Sequence, residues 1–341
     1  MDNLFGDSIE RLFAQIATPA AIRAIEEGAS IDALWQALED SGFLDALVPE
    51  SSGGAGLTLA QVFPLFLSAG RHAVPVPFAQ TMLARAWLHH VHAPIPKGPI
   101  TIAAFGMRSG ENSISSSAVP FGRTAQWVLA DLDSQIVLLP TQGVGLESEL
   151  IADPASLDVA MRWKGPRAEN GISEEAQPYA SLAEISAVCH ASLIAGAADK
   201  ALALTLDYAG QRTQFGKPIG KFQAVQSQIS VMAERTWAAR MAAQMACDST
   251  NWWPRPLLAA VGKSRTSEAA AVIADIAHAV HGALGITQEY DLQLYTRRLR
   301  QWRLAAGNET YWASRIGEAL LRKTSNSALA FICNELSAER L

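Results

Sequence analysis

Residues 208 to 228, YAGQRTQFGKPIGKFQAVQSQ, gather a guanidinium, a benzyl ring and several amides at the joint between two helical patterns. Arg212 ends the first pattern, Phe215 follows three residues later, and a Gly-Lys-Pro-Ile-Gly connection leads to Phe222 and Gln223, which open the second. One chemistry this suits is anion binding. An arginine fork matches a phosphate, and the start of the following helix offers free N–H groups. The residues alone equally allow a structural role: a cation against a helix C-terminus, a ring plugging the core, and Gln223 capping the next helix. Both readings stay open on the residues alone.

Other reactive types are scattered. His89, His90 and His92 stand together in HHVHAP with no cysteine or carboxylate beside them, so they read as surface imidazoles and no metal site is expected. Cys189, Cys247 and Cys333 lie far apart and mostly inside helical patterns, which predicts buried free thiols in a reducing cytosol. Trp252 and Trp253 fall in a break before Pro254, as a core plug or, preferably, an interface anchor. Arg297, Arg298, Arg300 and Arg303 make either a solvated helix face or a surface for an acidic partner or a CoA phosphate. The glycines of SSGGAG lack the strand–turn–helix context of a nucleotide loop.

The elements that must position these residues follow a helix–sheet–helix order. Residues 1–93 read as a helical domain: Asp7 and Glu10 have capping-box spacing, SIDALWQALEDSGF carries one apolar face ending at Gly42, and a further apolar helix ends near Gly70. Residues 94–180 hold short, β-branched, turn-bounded runs, with a hairpin connection at Asp131–Ser134, and predict a small antiparallel sheet or barrel. Residues 181–341 return to helices at 184–212, 221–248, 256–281, 291–304 and 309–336, with Phe222, Val225, Ile229 and Met232 as a core stripe. The fold class is mainly α with a β middle domain and a C-terminal four-helix bundle. With 49% hydrophobic and 18% charged residues, the 341-residue chain has enough apolar surface for two or three cores. A net charge of −6 excludes broad attraction to nucleic acid or anionic membrane. An acidic N-terminus and the lack of an apolar run long enough to span a bilayer predict a cytoplasmic protein.

Three segments carry a resemblance. RTQFGKPIGKFQ resembles the acyl-CoA dehydrogenase family's Arg-x-x-Phe-Gly-x-x-Ile-x-x-Phe-Gln segment. SGFLDALVPESSGGAGLTLAQ is similar to its N-terminal Pro-Glu…Gly-Gly-x-Gly-Leu stretch, and HGALGITQEYDLQLYTRRLRQWRLAAGNET to its Gly-Gly-x-Gly…Glu-Tyr…Arg-Asp…Glu-Gly-Thr stretch. Together they cover both helical domains. The resemblance implies a tetramer of two dimers with FAD at a subunit interface, so that Arg212, Phe215, Gln223 and Gly282 would reach a flavin nucleotide held mainly by another chain. The implied reaction is α,β-dehydrogenation of an acyl-CoA thioester, which needs a carboxylate beside the α carbon.

Here the chain departs from the family. The usual glutamate position falls on Ala306 and the alternative position on Ser186, neither of which can accept a proton. Glu309 substitutes only if the register slips by three; the catalytic set is otherwise empty. The middle-domain Thr-Glu-Pro-x-Ala-Gly-Ser-Asp motif is missing. Ala279 and Ala283 replace a glutamine and a glycine, Arg298 replaces an aspartate, and His281 stands where the family has an apolar residue. The pattern resembles the shorter subunit of the heteromeric (α2β2) steroid side-chain acyl-CoA dehydrogenases of bacteria. It implies a second, longer subunit as partner and a steroid-derived acyl-CoA as substrate. The alternatives are a scaffold subunit and a self-sufficient homotetramer using Glu309.

Overall fold

Amphipathic patterns in the first ninety residues fold as α1 (Asp2–Ile16), α2 (Pro19–Glu26), α3 (Asp32–Asp40), α4 (Leu59–Arg71) and α5 (Phe78–His90). The structure is a computed structural model describing residues 2–110, 113–132, 135–143, 145–150, 155–164, 171–172, 180–322 and 327–336. Asp7 and Glu10 do not cap a helix. They lie inside α1, which already starts at Asp2. The side-chain cap sits at the next helix, where Thr18 accepts from the Ala21 N–H at 3.2 Å and Pro19 takes the first turn, where a missing N–H is harmless.

The chain divides into two compact units. The first comprises residues 1–65, 74–189 and 249–254. Its helical core is built on Ile9, Phe13, Leu38, Val62, Phe78 and Met82, with Phe13 and Phe78 edge-to-face at 5.2 Å. The nearly buried Arg85 of α5 is neutralised by Asp45 at 3.0 Å and Glu39 at 2.6 Å. The β strands are β1 (Ile100–Ala103), β2 (Met107–Gly110), β3 (Ser113–Val119), β4 (Trp127–Leu132), β5 (Gln135–Pro140), β6 (Leu146–Leu150), β7 (Val159–Lys164) and β8 (Gly171–Ile172). They form two four-stranded sheets, ordered β1-β4-β5-β8 and β2-β3-β7-β6, around Val119, Val128, Leu139, Val159 and Met161. The expected all-antiparallel sheet needs correction, because β1 and β4 run parallel. The chain leaves the first sheet to make β2 and β3 in the second, then returns, and such a crossover permits a parallel pair. Residues 133–134 of the expected hairpin lie outside the described residues, although β4 and β5 pair in antiparallel register.

The second unit comprises residues 66–73, 190–248 and 255–341. Its helices are α6 (Leu182–Gln211, whose first turns belong to the other unit), α7 (Gln223–Ala246), α8 (Pro256–His281), α9 (Leu292–Leu304), α10 (Glu309–Arg322) and the short α11 (Ala328–Phe331). The helix expected over 309–336 is not continuous: α10 is described to Arg322, Ser327 is extended, and a π-helical turn, Ile332–Leu336, follows α11. Inside this unit the end of α4 meets α6 backbone to backbone. A Cβ at Gly196 would lie 2.0 Å from the Leu67 carbonyl oxygen, so no larger residue fits. The core stripe of α7 also needs correction: Met232 is buried, but Phe222, Val225 and Ile229 are only half-buried. Contrary to expectation, α6 and the segment Pro256–Ile286 are long and apolar enough to cross a bilayer by length and composition. Most of the α6 window is buried inside the protein, as in a core helix. Cys189 and Cys247 are buried and in no disulfide, as expected, whereas Cys333 is exposed.

Candidate functional site

Helix α6 ends at Gln211, and the chain reverses through β9 (Thr213–Gln214) and β10 (Lys217–Pro218), which pair antiparallel with Gln214 opposite Lys217. Only Phe215 and Gly216 remain for the turn, with φ of +50° and +79°. Two positive values make a type I′ hairpin turn, whose first position is ordinarily Asn, Asp or Gly. A phenylalanine there costs about 1–2 kcal/mol, because its Cβ crowds the following carbonyl in the left-handed region. Its ring gains little in return, being 91% exposed and touching Phe222 only edge-on at 6.2 Å. Arg212 and Gln223 flank the hairpin, both exposed. No side chain caps the N-terminus of α7, so its first N–H groups stay open. Lys217 lies 4.4 Å above the Phe222 ring and adds a second cation.

A second element comes to the same corner. Tyr208, one turn before Arg212, stacks on His281 with ring centroids 4.4 Å apart, and Tyr290 leans on the imidazole at 5.2 Å. His281 is the last residue of α8, so this stack sets Gly282, at φ +59°, beside the C-terminal turn of α6. The imidazole donates its Nδ1–H to the Ala277 carbonyl at 2.8 Å. Burial pushes its pKa down, which favours the neutral ring. The four residues assigned to a nucleotide thus lie on one corner of the second unit, exposed. The two tyrosines were not foreseen; their signal was aromatic type near the motif, with nothing in spacing to pair them with His281.

The position to which the resemblance assigns a base, Ala306, lies in a strained turn. Ala306, at φ +57°, is buried, and its carbonyl accepts the Trp312 Nε1–H at 2.7 Å. Gly307 follows at φ +82°, where a Cβ would strike the Tyr311 ring at 2.7 Å. Glu309, the alternative, is engaged elsewhere. Arg303 grips both carboxylate oxygens, through Nε at 3.0 Å and through Nη2, and this hydrogen bonding holds the carboxyl below its usual range. A lowered pKa and an occupied carboxylate both make a weak base. Ser186, at the alternative position, is a buried hydroxyl.

The remaining candidates are largely satisfied within the chain. Arg297 bonds Gln293 at 2.7 Å, Arg298 is buried and donates to the Leu294 carbonyl, and Arg300 pairs with Asp275 at 2.7 Å, so the arginine run is not one solvated face. Trp252 and Trp253 are half-buried, edge-to-face at 5.5 Å, with His90 against both. His89 bonds Ser52 at 2.8 Å.

Residues 181–321 match the model of the acyl-CoA dehydrogenase C-terminal domain. Acyl-CoA dehydrogenase IpdE2 of Mycobacterium tuberculosis is 31% identical over 295 residues, 86% of this chain and 88% of the relative. This chain belongs to the acyl-CoA dehydrogenase family. Among solved structures, the Tcur3481-Tcur3483 steroid ACAD superposes with a TM-score of 0.79 at 23% identity, covering 94% of this chain and 97% of that one. The ChsE4-ChsE5 complex from Mycobacterium tuberculosis gives 0.77 at 20% identity, covering 95% and 98%. These likenesses share the acyl-CoA dehydrogenase fold. FAD is the family's cofactor. The corner of this acyl-CoA dehydrogenase chain suits part of it: a free guanidinium, an exposed ring and uncapped helix N–H groups fit an anionic, aromatic dinucleotide.

Proposed function

We propose that this chain is the base-less subunit of a two-component acyl-CoA dehydrogenase. Arg212, Phe215, Gln223 and Gly282 reach the nucleotide portion of FAD held mainly by a longer partner. FAD, when bound, supplies the acceptor for the β hydrogen of the acyl-CoA thioester. Arg212 would pair with phosphate, the Phe215 ring would pack against the dinucleotide or its cradle, and the Gln223 amide would hydrogen-bond it. With a methyl group at Ala306 and Glu309 held by Arg303, removal of the α proton falls to the partner. A bulky, steroid-derived acyl-CoA is the proposed substrate class, a choice supported by the fold's likeness to a steroid enzyme.

The observation that carries this reading is Phe215. Its backbone is strained and its ring stands in water, two unfavourable terms that an isolated chain has no reason to keep. The solvent side of α7 adds support. Val231, Trp237, Met241 and Met245 are exposed there; of the nearby charges, Arg235 and Arg240 pair with Glu268 and Asp199 within the chain, and this apolar content suits an interface.

Co-expression with candidate longer subunits, followed by measurement of subunit ratio and flavin per complex, tests the proposal. A yellow, active protein from this chain alone would defeat it. The same α7 face favours a second reading, a scaffold that stabilises the partner without touching FAD. Arg212→Ala separates the two, weakening flavin retention under the first and leaving it unchanged under the second.

A further inference from the structure

Lys263 lies on α8 with no exposed surface at all. Its Nζ donates to the Ser267 hydroxyl at 2.6 Å and to the carbonyls of Arg303 and Gly307, both at 2.9 Å. Those two carbonyls bracket the connection between α9 and α10, including left-handed Ala306 and Gly307. The amine is therefore the strut of a strained turn, and its direct partners are all neutral oxygens. The charged groups facing it are Arg303 at the end of α9 and Glu309 at the start of α10, already bound to each other. From α7, Ala242 and Ala246 face the adjacent Gly262 and bring no charge.

The partner set also suits a neutral amine. An uncharged –NH2 has two donors and one lone pair; the two carbonyls take both N–H bonds, and the Ser267 O–H, which here donates to the Arg303 carbonyl at 3.2 Å, fills the lone pair by turning to the amine. An ammonium in the same place has the cost of burying a charge without a carboxylate bonded to it.

We propose that Lys263 is the positioning residue and proton-coupled lock of the α9–α10 turn: the neutral amine closes the turn, and opening exposes the amine, which takes up one proton from solvent. Burial pushes the amine down to about 7 in the closed form, against the attraction of Glu309. The open form returns to the ordinary lysine value of about 10.4. Between those values the open state holds more protons than the closed one, so raising the pH favours closure by about tenfold per unit. Below about 7 both forms are charged and the equilibrium is flat. The turn is thus loosest in acid and tightens through neutrality. This holds with or without a bound nucleotide, so it stands or falls separately from the subunit reading.

The test is amide hydrogen exchange of the full chain at peptides covering 304–312, from pH 6 to 9. Exchange is read where it follows the opening equilibrium, with the intrinsic pH dependence of the chemistry removed. Protection at the turn should rise about tenfold per unit above pH 7 in the natural chain and lose that slope in Lys263→Met, while peptides from α6 stay flat in both. A flat or falling profile in the natural chain, or a slope that survives Lys263→Met, overturns the proposal. Should Lys263→Met fail to fold, 13C NMR of the lysine ε-carbons in the natural chain decides: one lysine titrating near neutrality supports the lock, and all lysines titrating in the ordinary range refute it.

Discussion

Replacing Phe215 with asparagine separates what the chain needs from what an assembly needs. Asparagine tolerates the left-handed region, so the change relieves about 1 kcal/mol of backbone strain. The lost edge contact with Phe222 is worth about 0.5 kcal/mol, since the ring is 91% exposed. The chain on its own should therefore be unchanged or more stable, by up to about 0.5 kcal/mol. With about 2.1 cal/mol/K of unfolding entropy per residue over 341 residues, that raises Tm by less than about 1 °C. In an assembly the sign reverses. A phenyl ring buries about 150 Å2 or more, worth roughly 4 kcal/mol at most, and a realistic loss of about 2 kcal/mol weakens binding about thirtyfold. Thermal unfolding of the chain alone and flavin release from the co-purified complex read the two effects. If Phe215→Asn destabilises the isolated chain by more than about 1.5 kcal/mol and leaves the complex untouched, the ring serves this chain's own core and the reasoning fails.

Arg212→Ala should weaken flavin retention in the complex by about 1.5–3 kcal/mol, roughly 10- to 150-fold, without moving the Tm of the chain alone. Thiol labelling at pH 8 should modify Cys333 quickly and leave Cys189 and Cys247 until denaturant is added, because burial pushes the Cys247 thiol up to about 12. Gly196→Val should destabilise by more than about 3 kcal/mol, since its side chain meets the Leu67 carbonyl; unchanged stability would mean that α4 and α6 can separate at no cost. His281 is held neutral by burial, so the unfolded chain takes up its proton first as the pH falls below about 6.5. Stability should therefore drop below that pH, and chemical denaturation of His281→Phe should show a shallower drop.

How much was readable in advance differs by element. The starts and ends of α6, α7, α8 and α9 fell within two residues of their patterns, because the Gly216–Gly220 connection with its proline, Pro254 and Gly282 interrupt helices through local backbone chemistry that needs no neighbours. The Arg212–Gln223 motif was legible for the same reason: its residues are close in sequence and mostly stay at the surface. The parallel β1–β4 pair was not legible, since strand runs carry period but no partner or direction. Nor was the fate of Glu309, which by sequence is a carboxylate three residues from the position the resemblance gives to a base and in space is bound by Arg303.

Local pattern therefore reached as far as covalent neighbours dictate: helix ends and the exposed motif. Which buried groups meet was beyond it. Lys263 and Gly307 lie 44 residues apart, and Tyr208 and His281 lie further apart still. Their meeting depends on how α6, α8, α9 and α10 pack, and burial then changes the chemistry of each group. An amine reads as a surface cation along the chain; enclosed by carbonyls and cut off from water, it becomes a titrating strut, because desolvation acts only once the helices have closed around it.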